Sequence, residues 1–109
     1  MAKITYWDGF WDDFDEKVNY ATLEFGRKTA RKWVETCQKL IKGIGAMPES
    51  YSYLRVGRRV YKDYRGVNLM NNFKLIYSYD AVADEVLILK IWNMRQSPFR
   101  LNSFLRSLE

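Results

Sequence analysis

Asn72-Phe73-Lys74-Leu75-Ile76-Tyr77-Ser78-Tyr79 sets Phe73, Leu75, Tyr77 and Tyr79 on alternate positions against Lys74, Ile76 and Ser78. A period of two sends successive side chains to opposite faces of an extended chain, so this stretch predicts a strand with one well-buried face. Directly after it, Asp80-Ala81-Val82-Ala83-Asp84 has the composition of a hairpin loop, and Glu85 to Trp92 is a nearly continuous apolar run. Such a run is expected of a central strand covered on both sides. Tyr64 to Met70 reads as the strand before this pair, although Gly66 interrupts it, and Lys3 to Trp7 reads as a short opening strand.

Upstream the period changes. Phe10, Phe14, Val18, Ala21 and Phe25 recur at helical spacing, with Asp12, Asp13, Asp15 and Glu16 crowding the first turns, where the helix dipole favours negative charge. Gly26 suits the stop, and a second helix follows from about Lys28, with Ala30, Trp33, Val34, Cys37, Leu40, Ile41 and Ile44 on its buried stripe. It is expected to end among Gly43, Gly45 and Pro48. Two amphipathic helices with a tight break between them pack as an antiparallel hairpin. At the other end, Ser97 and Pro98 form an N-cap and first helical position, followed by Leu101, Phe104, Leu105 and Leu108 on one face. The predicted fold is α+β: an N-terminal helical hairpin packed on a small, mainly antiparallel sheet, with a short C-terminal helix.

Composition narrows the chemistry. The 109 residues, 48% hydrophobic and 17% aromatic, suffice for one core, and no repeat or linker divides them, so residues 1–109 are expected to form a single domain. No apolar run approaches membrane length and the N-terminus lacks the pattern of a signal peptide, which predicts a cytoplasmic protein. There is one cysteine and no histidine, so an internal disulfide, ordinary zinc sites and histidine-based triads are excluded, and neither metal nor cofactor is expected. Any catalysis has to run on Arg, Lys, Tyr, Asp or Glu. The net charge is +5, and residues 1–54 hold eight basic and eight acidic side chains, which leaves the excess in the second half. A local positive field points to a polyanionic partner, either nucleic acid or an acidic protein segment.

That field has a focus. Arg55, Arg58, Arg59 and Lys62 crowd ahead of Arg65, with Tyr61 and Tyr64 among them. Guanidinium groups bind phosphate bidentately and tyrosines stack on bases, which makes this segment a candidate nucleic-acid contact. Lys74 on its strand and Arg95 just past the central strand are expected to converge on the same face. Cys37 and the tryptophans Trp7, Trp11, Trp33 and Trp92 read as packing residues, and the acids at the start of the first helix as helix-end electrostatics rather than a metal site.

Tyr64-Arg65-Gly66-Val67, Asn72-Phe73-Lys74-Leu75-Ile76-Tyr77 and Ile91-Trp92-Asn93-Met94-Arg95-Gln96-Ser97-Pro98 together resemble the sheet of the RelE/ParE superfamily of bacterial toxins. The resemblance implies the fold just described, an acidic antitoxin as partner, and growth arrest in one of two ways. RelE-like members enter the ribosome and cut messenger RNA, whereas ParE-like members poison DNA gyrase. In the first case the resemblance implies that Arg65, Lys74 and Arg95 hold RNA and stabilise charge during attack by a ribose 2′-hydroxyl. The chain departs from the nuclease pattern in lacking histidine, in having Tyr79 as its last tyrosine, and in carrying Val67 where a second lysine is usual. Positioning and charge stabilisation by Arg and Lys are then left to carry cleavage. In the second case Arg100 and Arg106 of the C-terminal helix become the suspects. A degenerate member that only binds its antitoxin is the third implication.

Overall fold

The computed structural model describes residues 1–70 and 72–108. Strand β1 (Lys3–Tyr6) is followed by helices α1 (Phe10–Phe25) and α2 (Arg27–Ala46), strands β2 (Tyr53–Val56), β3 (Arg59–Leu69), β4 (Phe73–Asp80) and β5 (Glu85–Asn93), and helix α3 (Pro98–Ser107). The sheet order is β1-β5-β4-β3-β2, antiparallel except where β1 runs parallel to β5. β5 is therefore interior, which is why its sequence is apolar on both sides.

Side-chain alternation divides the core in two. Val67, Leu69, Phe73, Leu75, Tyr77, Val86, Ile88 and Ile91 meet the α1–α2 hairpin through Phe10, Trp33, Cys37 and Ile44. Leu54, Val56, Tyr61, Ile76, Leu89 and Trp92 point to the other face, where Leu101 and Leu105 of α3 cover them. The β4 stretch thus has two buried faces along part of its length: Ile76 shares the outward parity of Lys74 yet is fully buried, because α3 lies over it. The Ser97 hydroxyl accepts a hydrogen bond from the Phe99 N–H at 3.2 Å, capping α3 as its sequence predicts.

α2 ends at Ala46, within the stretch expected, and two other features differ from the sequence expectation. The basic stretch before Tyr64 is not a loop: β2 and the start of β3 form a hairpin whose turn holds Gly57 at a φ of 62°, where other residues are strained. α2 runs through Gly43 and Gly45 to Ala46. The absence of a side chain at Gly45 lets β1 pack close, since a Cβ there would stand 3.0 Å from Ile4 Cδ1. Phe25, at the end of the predicted α1 stripe, is exposed.

The acids of α1 also do more than complement the helix dipole. Beyond Tyr6, β1 no longer covers the edge of β5, and the Asp13 carboxylate accepts a hydrogen bond there from the Ile91 N–H at 3.3 Å. Its other oxygen lies 3.1 Å from Lys17 Nζ and 3.7 Å from Lys90 Nζ. Lys90 Nζ in turn stands 4.7 Å over the Phe104 ring, so one carboxylate ties α1, β5 and α3 together. Lys17 falls among the buried residues of α1 for this reason.

Candidate nucleic-acid interface

α3 covers only part of its face of the sheet. In the row that pairs Asn68, Lys74 and Trp92, the Trp92 end is buried, Lys74 in the middle is half-buried and the Asn68 end is exposed. In the next row Gly66 pairs with Ile76, and the missing side chain makes room for the Lys74 stem: a Cβ at Gly66 would stand 3.0 Å from Lys74 Cδ and 3.1 Å from Leu54 Cδ1. Gly66 therefore forms the floor of a trough and Lys74 its central charge. The interruption that weakens the β3 pattern in sequence is what shapes the site.

Two hollows meet at Lys74. One, of about 150 Å³, runs toward α3 between Arg55 and Gly57 on one wall and Trp92, Met94, Gln96 and Leu101 on the other. The second, of about 540 Å³, opens toward the sheet edge past Tyr51, Tyr53, Arg55 and Asn68. Among the described residues, the charged residues along the two hollows are Lys74 and Arg55, and no acidic residue lines either; Arg55 alternates with Leu54 and Val56, so its side chain leaves β2 on the side away from Lys74. This is a positive trough without a lining acid, suited to phosphates.

The remaining predicted residues divide between this trough and elsewhere. Arg95 sits in the turn after β5, its backbone N–H bonded to Asn93 Oδ1 at 3.0 Å, while Met94 N–H reaches the Asn72 carbonyl at 2.8 Å. These bonds hold the turn beside the trough and leave the Arg95 side chain exposed between two lining residues, Met94 and Gln96. Arg58 occupies the β2–β3 turn, and Arg59 extends its guanidinium 4.4 Å over the Tyr61 ring. Lys62 is exposed where β3 departs from regular pairing, since Tyr53 pairs with Arg65 but Leu54 pairs with Tyr61.

Arg65 does not join them. It pairs with Tyr77, which faces the helical hairpin, and so lies on the opposite side of the sheet from Lys74. Its guanidinium donates to the Tyr51 carbonyl at 2.5 Å and stacks 4.4 Å over the Tyr53 ring, fastening the segment that leads into β2. The expected convergence of Arg65, Lys74 and Arg95 is corrected: Lys74 holds the trough, Arg95 stands exposed in the turn beside it, and Arg65 lies on the other side of the sheet.

Tyr61, expected to stack on bases, is instead buried in the core under α3, and several polar contacts in this region had no sequence signal. The Tyr61 hydroxyl donates to Asn102 Oδ1, tying β3 to α3. The Tyr77 hydroxyl donates to the Pro48 carbonyl at 2.6 Å on the hairpin side, and burial pushes its pKa up to about 12. Burial also pushes the Cys37 thiol up to about 12, and the hydrogen bond to Asp84 raises Tyr79 to about 12, so none of these three is a base at neutral pH. What the trough offers chemically is fixed cations.

With that geometry in place, the chain is similar in structure to a chain of the chromosomal ParDE TA system from P. aeruginosa, at a TM-score of 0.65 and 17% identity over 85% of this chain and 96% of that one. It is similar to a metal-bound toxin from Helicobacter pylori at 0.61 and 16% identity, covering 87% and 97% of the two chains. The isolated E. coli RelE toxin follows at 0.58 and 10% identity, covering 98% and 99%. No protein-family model and no curated relative matches the sequence. The fold is RelE/ParE-like, as the sequence resemblance implied.

Proposed function

We propose that this chain is the toxin of a bacterial type II toxin–antitoxin module and that it acts on RNA, with Lys74 and Arg95 as the residues that engage the scissile phosphate and Arg55, Arg58, Arg59 and Lys62 as flanking backbone contacts. The observation that carries this reading is the trough itself: Lys74 stands over Gly66, with no carboxylate among the described lining residues. A fixed cation over an open floor stabilises the charge that develops when a ribose 2′-oxygen bonds to phosphorus and the 5′-oxygen leaves. The 2′-hydroxyl proton passes to water, and water supplies the proton to the leaving oxygen. Doing without a residue for those transfers costs about 10² to 10⁴ in rate, which leaves positioning on the ribosome to supply the balance.

An acidic antitoxin segment across the same trough silences the protein by occupying the cations, and its binding weakens with salt. α3 offers one observation for the second target, DNA gyrase. Phe99 is 73% exposed beside the exposed Arg100, an apolar and basic pair suited to a protein surface.

Primer extension on messenger bound to programmed ribosomes tests the RNA reading. Lys74→Ala and Arg95→Ala are expected to lose cleavage at unchanged melting temperature, whereas Arg65→Ala lowers the melting temperature because it frees the Tyr51 carbonyl and the Tyr53 ring. Undiminished cutting by both Lys74→Ala and Arg95→Ala would overturn the assignment. Intact translation with failing DNA synthesis would transfer it to gyrase and to Arg100 and Arg106.

A further inference from the structure

We infer that the solvent face of α2 is a second nucleic-acid surface, docking on the phosphate backbone of a duplex from the side of the molecule opposite Lys74. α2 carries Arg27, Lys28, Arg31, Lys32, Lys39 and Lys42 against a single acid, Glu35, and all seven are exposed. Among the described residues, the side-chain ion pairs involve Lys17 and Lys90, and none of the α2 cations has one. α1 carries the reverse composition, with Asp12, Asp13, Asp15, Glu16 and Glu24 against Lys17. A count over residues 1–54 balances to zero because two helices of opposite charge lie side by side.

The placement of these cations runs against local helix physics. Four of the six fall in the first two turns of α2, where the positive end of the helix dipole disfavours them. That turn contains no acid, and Gly26 supplies no side-chain cap. The arrangement weakens the helix in isolation and is offset when an anion docks, so its presence points to a bound polyanion.

Dimensions and chemistry select a phosphate backbone over an acidic protein. From Arg27 to Lys42 the helix axis advances about 22 Å at about 1.5 Å per residue. One strand of a duplex presents a phosphate about every 3.4 Å along its axis, hence about six over that length, matching the six cations. The exposed large apolar residues of this protein all lie outside α2. A protein partner needs such anchors and a phosphate backbone does not. The α2 buried stripe faces the sheet, and the trough lies beyond the sheet on its other side, so the two basic surfaces engage separate strands without competing. The inference stands whether or not the trough cleaves RNA.

Fluorescence anisotropy of the full chain with a 20-base-pair RNA duplex and a DNA duplex of the same sequence, across 50 to 300 mM salt, tests it. The test variant combines Arg27→Gln, Lys28→Gln, Arg31→Gln and Lys32→Gln, which relieves repulsion with the dipole and so preserves the helix, as circular dichroism verifies. The control combines Arg55→Gln with Lys74→Gln. Loss of four phosphate contacts lowers the slope of log affinity against log salt by about 3.6 for DNA, at about 0.9 per contact. An equal loss on both duplexes supports shared backbone recognition, and a loss confined to one supports the inference and assigns the source. A slope unchanged in the α2 variant but abolished in the control would overturn it. So would poly-glutamate binding as tight as that of either duplex at equal charge concentration and lost in the α2 variant but not in the control, which would mark α2 as an acidic-protein surface.

Discussion

Replacing Asp13 with alanine is expected to destabilise the protein by about 2–4 kcal/mol. Its carboxylate is the acceptor for the Ile91 N–H at 3.3 Å and the counter-ion for Lys17 at 3.1 Å and Lys90 at 3.7 Å. Stranding a buried backbone donor costs about 1–3 kcal/mol. The two ammonium groups, with 10% and 19% of their side chains exposed, are not sealed in. Their flexible stems let them tilt toward water, so losing the partner costs each about 0.5 kcal/mol rather than the roughly 3–5 of a fully buried pair. At about 4–8 °C per kcal/mol for a chain of this size, Asp13→Ala lowers the melting temperature by roughly 10–25 °C. Asp13→Asn keeps an acceptor for Ile91 and loses only the charge, so it is expected to recover about half of the loss. Urea denaturation followed by tryptophan fluorescence reads both variants. A loss below about 1 kcal/mol for Asp13→Ala, or equal losses for alanine and asparagine, would refute the reasoning.

The other stability predictions concern the pH range and the C-terminal helix. Cys37 and Tyr77 both hold their protons more tightly when folded, at about 12 against ordinary values of 9.0 and 10.0. Their contribution to stability is present below those ordinary values and is lost as pH rises through about 12, so urea midpoints measured at pH 8 and pH 11 should fall steeply between the two. A flat profile contradicts this. Cys37 is also expected to resist alkylation at pH 8 until denaturant is added, and rapid labelling of the native protein would show that its burial is wrong. Ser97→Ala removes the cap of α3 and is expected to cost about 1 kcal/mol, read as faster amide exchange within α3, where unchanged exchange is the contrary result.

Element types were legible wherever burial imposed a period. Phe73, Leu75 and Tyr77 alternate because they meet the helical hairpin, and the run through Ile88 to Ile91 is apolar because β5 is interior. β2 escaped notice although Leu54 and Val56 alternate with Tyr53 and Arg55, since four residues beside an arginine-rich turn give a weak pattern. The site was half legible. Lys74 and its outward face followed from strand alternation, but the side of the sheet on which Arg55 and Arg65 stand did not. Lys62, Asp63 and Tyr64 fall where the β2–β3 register shifts, and Arg65 beyond them turns to the hairpin face. No local pattern reveals such a shift. The Asp13, Lys17 and Lys90 cluster was hidden for a different reason: its i,i+4 half is visible on α1, but its third member comes from β5.

The proposed action on RNA depends on the basic trough around Lys74. Induced expression in a bacterial host, with pulsed incorporation of labelled methionine and labelled thymidine and with Lys74→Ala alongside, tests it most directly. The expected result is an immediate collapse of methionine incorporation with the wild type and none with Lys74→Ala, which folds normally. Undisturbed growth, or a thymidine defect that appears first and is indifferent to Lys74, would contradict it.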